Sequence, residues 1–146
     1  MLVPPSNLHA SNYLASSPLA VCSWLFGDCD HEQIAQWVAR LGVDSVELLT
    51  DIDRCSPATL RRLYKDIGLS VRSLTPKNVD IAHHQPSRRA GALSYYRRLI
   101  VFAAELGCHA VTCHEGIGRL HPVDSAEAEW HRLVSGLCCK KLPRIR

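Results

Sequence analysis

Residues 30–49, DHEQIAQWVARLGVDSVELL, decide how this chain is read. Asp30 stands where a helix N-cap belongs, and Gln33 follows three residues later, so the pair makes a pattern like a capping box. Ile34, Trp37, Val38 and Leu41 recur at i, i+3, i+4 and i+7, which lays one apolar stripe along a helix. Gly42 then ends the helix in a position that favours left-handed backbone. Val43 to Leu49 reads as a strand directly after it. Helix, glycine and strand without an intervening loop is the hallmark of a short αβ junction.

The same order extends in both directions. Upstream, Leu19 to Trp24 is an apolar run of strand length, and a loop with Gly27, Asp28 and Asp30 joins it to the helix. Downstream, Asp51, Asp53 and Cys55 form a loop, and Ser56-Pro57 starts a helix with a cap and a first-turn proline. That helix carries Leu60, Leu63, Tyr64 and Ile67 and stops at Gly68. Leu69 to Thr75 is the third strand, ended by Pro76. A longer loop holds Asn78, Asp80 and His83-His84, and a helix from about Arg88 to Leu106 carries Leu93, Tyr96, Ile100, Ala103 and Ala104 before Gly107. His109 to His114 is the fourth strand, and a helix from about Ser125 to Leu137 completes the fourth unit. Residues 1–17 are rich in Pro, Ser and Asn without a period and read as a loose leader.

Strands alternating with helices imply a parallel sheet. Two architectures fit, an open doubly wound sheet or part of a closed barrel. No Gly-x-Gly-x-x-Gly follows any strand, which weakens a dinucleotide-binding fold. The βα loops are long and polar while the αβ links are short, which suits a barrel whose βα loops build the active face. A complete (β/α)8 barrel needs about 200–250 residues. The chain has 146 residues, so the expected fold is α/β, a partial TIM barrel of about four parallel βα units.

Composition limits the function classes. The chain is 47% hydrophobic and 21% charged, as globular domains are. Its net charge of +3 is mild, and the basic pairs Arg61-Arg62, Arg88-Arg89 and Arg97-Arg98 are scattered, which argues against a nucleic-acid partner. No apolar run reaches the roughly 18–20 residues of a membrane span, and no secretory signal is evident, so the cytoplasm is the expected compartment. The seven cysteines are odd in number and contain no CxxC pair. They read as small buried hydrophobes in a reducing compartment, with Cys22, Cys108 and Cys113 in segments of buried character.

Several stretches together resemble the sugar phosphate isomerase/epimerase family of xylose-isomerase-like barrels. They are Ala39-Arg-Leu-Gly-Val-Asp-Ser-Val-Glu-Leu48, Leu74-Thr-Pro76 at the end of the third strand, Arg89 through Gly107 with Tyr95-Tyr96 and Ala103-Ala-Glu-Leu-Gly107, and Val111-Thr-Cys-His114 followed by Gly116. The resemblance spans residues 18–137 and implies chemistry on a sugar carbonyl. It also implies one divalent metal (Mn, Mg or Zn), held in the full-length family by carboxylates and a histidine on the fifth to eighth strands. The metal would acidify a C–H bond and a glutamate would move the proton. The sequence does not reach those strands. Residues 138–146 match nothing the family has there, so a truncation or a shifted reading frame near residue 137 is expected, with a chain inactive alone.

Candidate substrate-binding residues are Glu47, His114 and Trp24. Glu47 lies in the C-terminal half of the second strand, facing the barrel mouth if its parity is inward, with Ser45 and Leu49 on its face. It would hold sugar hydroxyls there, or else pair with an arginine or a loop, because an unpaired carboxylate in a sheet is costly. His114 ends the fourth strand and would touch substrate or serve as a hydrogen-bonded structural histidine. Glu115 has the opposite parity and is a weaker candidate. Trp24 would stack on a sugar face or pack in the core. His83 and His84 read as solvent-exposed, His121 as a loop residue that could border substrate, and Trp37 and Trp130 as packing residues. A multi-zinc endonuclease would want a histidine where Ser73-Leu-Thr-Pro76 stands. Beside the isomerase reading stand a non-catalytic half-barrel that pairs with another chain through open sheet edges, and a lyase or AP-endonuclease-type relative.

Overall fold

The computed structural model describes residues 19–113 and 123–138. Four strands make one sheet in the order β1-β2-β3-β4, with every adjacent pair parallel. They are β1 (Ala20–Cys22), β2 (Ser45–Leu49), β3 (Ser70–Thr75) and β4 (Ala110–Val111). The helices between and after them are α1 (His31–Arg40), α2 (Pro57–Asp66), α3 (Pro86–Leu106) and α4 (Ala126–Leu137). Residues 1–17, expected as a loose leader, and residues 139–146 of the expected atypical tail lie outside the described residues.

Local chemistry starts three of the four helices through side-chain caps, whereas α3 begins at Pro86, ahead of the expected Arg88, with no side-chain cap. The Asp30 carboxylate accepts the Gln33 N–H at 2.8 Å, the Ser56 hydroxyl accepts the Thr59 N–H at 3.4 Å, and the Ser125 hydroxyl accepts the Ala128 N–H at 3.2 Å. Gly42, Gly68 and Gly107 have φ of 74°, 83° and 85°, a backbone region that a side chain resists. Each therefore lets a helix turn straight into the next strand.

The core lies between the sheet's outer face and the helices. Val46, Leu48 and Leu74 point outward and are fully buried. They meet Ile34, Ala35 and Val38 of α1, Leu60 and Tyr64 of α2, and a long face of α3. Each such aliphatic side chain contributes about 1.5–3 kcal/mol relative to exposure. The buried face of α3 is Ala92, Tyr95, Tyr96, Leu99, Phe102, Ala103 and Leu106. It is rotated from the expected stripe, which contained the exposed Ala104 and the half-buried Leu93 and Ile100.

Other expectations are also corrected. Trp37 and Trp130 are 39% and 58% exposed and do not belong to the core, although the Trp37 ring lies 5.7 Å from Phe26. Leu41 is 61% exposed. Cys108 is buried and Cys22 half-buried as small hydrophobes can be, but Cys113 is exposed. β1 ends two residues before Trp24. The buried Ser23 hydroxyl accepts the Leu49 N–H at 2.7 Å, taking the place of a ladder carbonyl, and the chain turns into a short 3-10 helix, Ser23–Phe26. A β-bulge interrupts the β2–β3 register: Val46 pairs with Val71 but Glu47 pairs with Ser73. Arg72 is the extra residue, and its insertion inverts the parity of β3 beyond it.

Candidate functional site

Glu47 projects from the inner face of β2, opposite to the buried Val46 and Leu48. Because of the bulge, Thr75 at the end of β3 arrives on that same face. Its hydroxyl donates to Glu47 Oε1 at 2.5 Å. The Thr112 hydroxyl reaches the same oxygen at 3.5 Å and also donates to the Leu74 carbonyl at 3.2 Å. Cys22 is the register partner of Glu47 on β1, and its thiol hydrogen-bonds the carboxylate. Burial chiefly, then that hydrogen bond and the carboxylate's charge, pushes the Cys22 thiol up from its ordinary pKa. Three side chains, from β1, from the end of β3 and from the residue just after β4, thus converge on the β2 carboxylate.

This cluster floors a cleft of about 710 Å³ at the carboxyl ends of the strands, bordered further by Trp24, Leu49, Pro76, Lys77 and Asn78. Trp24 is 55% exposed on the turn after β1, its indole at the rim. Lys77 is held by its own surroundings: its N–H donates to the Tyr95 hydroxyl at 2.9 Å, its ammonium sits 5.0 Å above that ring, and it lies 3.7 Å from Asp53. Asp53 also pairs with Arg98.

A second cleft, of about 840 Å³, adjoins the first and shares Trp24, Leu49 and Lys77 with it. His31 stands in its wall at the start of α1. Its Nε2 lies 3.1 Å from the Thr50 hydroxyl and 3.8 Å from the Cys55 sulfur, and its Nδ1 lies 3.4 Å from the Tyr64 hydroxyl. Burial lowers the His31 pKa, partly offset by the Asp30 carboxylate. The imidazole is therefore neutral near pH 7 and joins α1, α2 and the loop after β2.

Glu47 and Trp24, two of the three residues singled out from sequence, share the first cleft. The third, His114, lies outside the described residues, as do Glu115 and His121. His83 and His84 stack at 4.3 Å, and their carbonyls both accept from Arg89, so they close the loop before α3. His84 is exposed, as the sequence suggests, while His83 is half-buried. Thr75, Thr112 and Cys22 around Glu47 were not foreseen, nor was the His31 cluster. Strand parity could have indicated Cys22, but Thr75 depends on the bulge. The first cleft holds a single carboxylate, Glu47, and no imidazole among its described lining residues. Divalent cations take at least four protein or solvent ligands, commonly several carboxylates or imidazoles. No group of three or more His, Cys, Asp or Glu among the described residues is placed to hold a metal ion. The described residues alone do not fit the family's metal.

The sequence matches the family described as xylose isomerase-like TIM barrel over residues 35–139. The chain belongs to the xylose isomerase-like TIM barrel family. Solved structures of like fold include a D-psicose 3-epimerase, at 22% identity and TM-score 0.66, covering 80% of this chain and 45% of that one. A 3-keto-D-glucoside 4-epimerase from E. coli matches at 15% identity and TM-score 0.66, covering 84% and 49%. An L-ribulose 3-epimerase matches at 18% identity and TM-score 0.65, covering 82% and 43%. No curated protein matches the chain. This xylose isomerase-like chain therefore spans less than half the length of these structures, and its four units form a partial barrel. No described helix is long and apolar enough to cross a membrane.

Proposed function

We propose that the cleft around Glu47 is the sugar-binding rim of an isomerase or epimerase, and that Glu47 and Trp24 contact the substrate. The observation that carries this is the fixed Glu47 carboxylate, at the carboxyl end of a parallel strand, in one cleft with a half-exposed indole. Barrels of this type react substrates at that rim. A carboxylate can accept hydrogen bonds from sugar hydroxyls while an indole face covers the apolar side of the ring. His114, which follows Thr112 and Cys113, belongs to the same proposal. The solved epimerases of like fold carry sugar names, which supports a ketose or related sugar as substrate class.

In this proposal the full-length family performs metal-assisted proton transfer, with the divalent metal held by residues other than those described here. The 146-residue chain binds sugar without turning it over. Incubating purified chain with D-fructose and Mn²⁺, and following C3 epimerisation by chromatography, is expected to show no conversion, while ligand-observed NMR shows binding that Glu47→Gln weakens. Metal-dependent turnover would sink the inactive-chain part. Binding unaffected by Glu47→Gln would sink the site.

A second reading, association with another chain, draws on a separate observation. β1 and β4 each have one strand neighbour among the described residues, and α4 exposes Trp130 at 58%, Val134 at 42% and Leu137 at 37% on one helical stripe. Open edges and exposed apolar stripes favour association. Sedimentation velocity is expected to show species heavier than a 16.2 kDa monomer, and a clean monomer would refute it.

A further inference from the structure

The cleft beside His31 lies outside the Glu47 cluster yet adjoins the cleft that cluster lines. Trp24, Leu49 and Lys77 line both, so the two clefts adjoin at these residues and together form a groove from the strand ends to the first two βα loops. Each part, at about 710 and 840 Å³, falls in the range that holds a small organic ligand. A single monosaccharide seated at Glu47 leaves the outer part empty.

The outer part is built rather than incidental. Ile34 and Leu49 give its lining apolar surface, and the half-exposed Trp24 is shared with the first cleft. Asp51 ties its own loop, accepting the Asp53 N–H on its side chain at 3.0 Å and the Cys55 N–H on its carbonyl at 2.9 Å. The His31 imidazole fastens Thr50 behind that loop at 3.1 Å. Charged groups of both signs line the cleft, Arg54 and Lys77 together with Asp28, Asp30 and Asp51. Lys77 is already engaged by Asp53. The balance is therefore acidic, which repels a phosphate, while an aromatic platform with mixed hydrogen-bonding groups suits a neutral, hydroxyl-rich ring.

We propose that this groove has an outer sugar subsite, beyond Trp24, so that the site takes a neutral two-ring saccharide or glycoside in preference to a monosaccharide or a sugar phosphate. This rests on the sugar-binding reading of the Glu47 cleft and extends it to a substrate class.

The test uses the full chain and three probes: D-fructose, D-fructose 6-phosphate, and lactulose, a neutral disaccharide ending in the same ketose. Titration calorimetry is expected to give lactulose a Kd about tenfold lower than fructose, the gain from one or two added hydrogen bonds and ring contact. Fructose 6-phosphate binds no more tightly than fructose. Arg54→Gln brings the lactulose-to-fructose ratio toward one, Asp51→Asn does the same with its loop geometry checked by circular dichroism, and Glu105→Gln on exposed α3 surface leaves the ratio unchanged. Equal affinities for fructose and lactulose, tighter binding of the phosphate, or a ratio insensitive to both groove variants would each overturn the outer subsite alone. If no probe binds, the Glu47 site itself is refuted, and the outer subsite with it.

Discussion

The hydrogen bond between Thr75 and Glu47 is the contact on which the site's geometry turns. Thr75→Val keeps the side chain's shape and removes its donor. Hydrogen bonds to charged groups contribute about 1.5–3 kcal/mol. Glu47 and Thr75 are both half-buried, so water competes and the lower end applies, about 1.5 kcal/mol. With a urea m-value of about 1.5–2 kcal/mol/M, the unfolding midpoint should fall by about 0.8–1 M. Replacing Thr by Val also alters burial, so the decisive quantity is a double-mutant cycle with Glu47→Ala, which removes the acceptor altogether. The coupling energy should be about 1 kcal/mol or more. Thr112→Val coupled to Glu47→Ala should give clearly less, since that contact is 3.5 Å long. A Thr75–Glu47 coupling near zero would mean that the two side chains do not share a face, and the bulge at Arg72 with the whole site would have to be redrawn.

Three further outcomes follow from the same geometry. Glu47→Gln should speed alkylation of Cys22 by iodoacetamide at fixed pH, read by peptide mass mapping, because part of what raises that thiol's pKa is the carboxylate; an unchanged rate would leave burial as the sole cause. His31 should make stability fall as pH drops below its unfolded pKa of about 6.5. There the unfolded chain takes up a proton that the half-buried imidazole resists, so stability rises with pH in that window, and His31→Gln should flatten the urea midpoint between pH 7 and pH 5. Leu48→Ala should cost about 2–5 kcal/mol by denaturant unfolding, as for a fully buried leucine whose cavity cannot collapse between sheet and helices, and a loss below 1 kcal/mol would contradict that packing.

Much of the fold is written in local rules. Asp30, Ser56 and Ser125 cap helices through N–H groups three residues on, and Gly42, Gly68 and Gly107 end them, all within one turn of chain. Such signals need no knowledge of what lies across the molecule. The strand and helix order follows, and with it the parallel sheet. The α3 face was harder, because Tyr95, Leu99 and Phe102 compete with Leu93, Ile100 and Ala104 for the buried side. With apolar residues on several sides, only the neighbours on β3 and α2 settle the rotation. Trp130 shows the converse: its helix stripe is apolar, yet that stripe is exposed.

By itself the sequence determined the order of elements, many of their caps and turns, and the placement of Glu47 near the carboxyl end of a strand, while leaving open which way its side chain faces. The tertiary structure decided which groups meet there. Ser23 displaces a ladder carbonyl and sends Trp24 to the rim, and one added residue at Arg72 turns Thr75 toward Glu47 from 28 positions away. Caps and turns are governed by bonds between near neighbours in the chain, whereas register and facing are fixed only when separate strands pair, and a single inserted residue reverses every side chain beyond it.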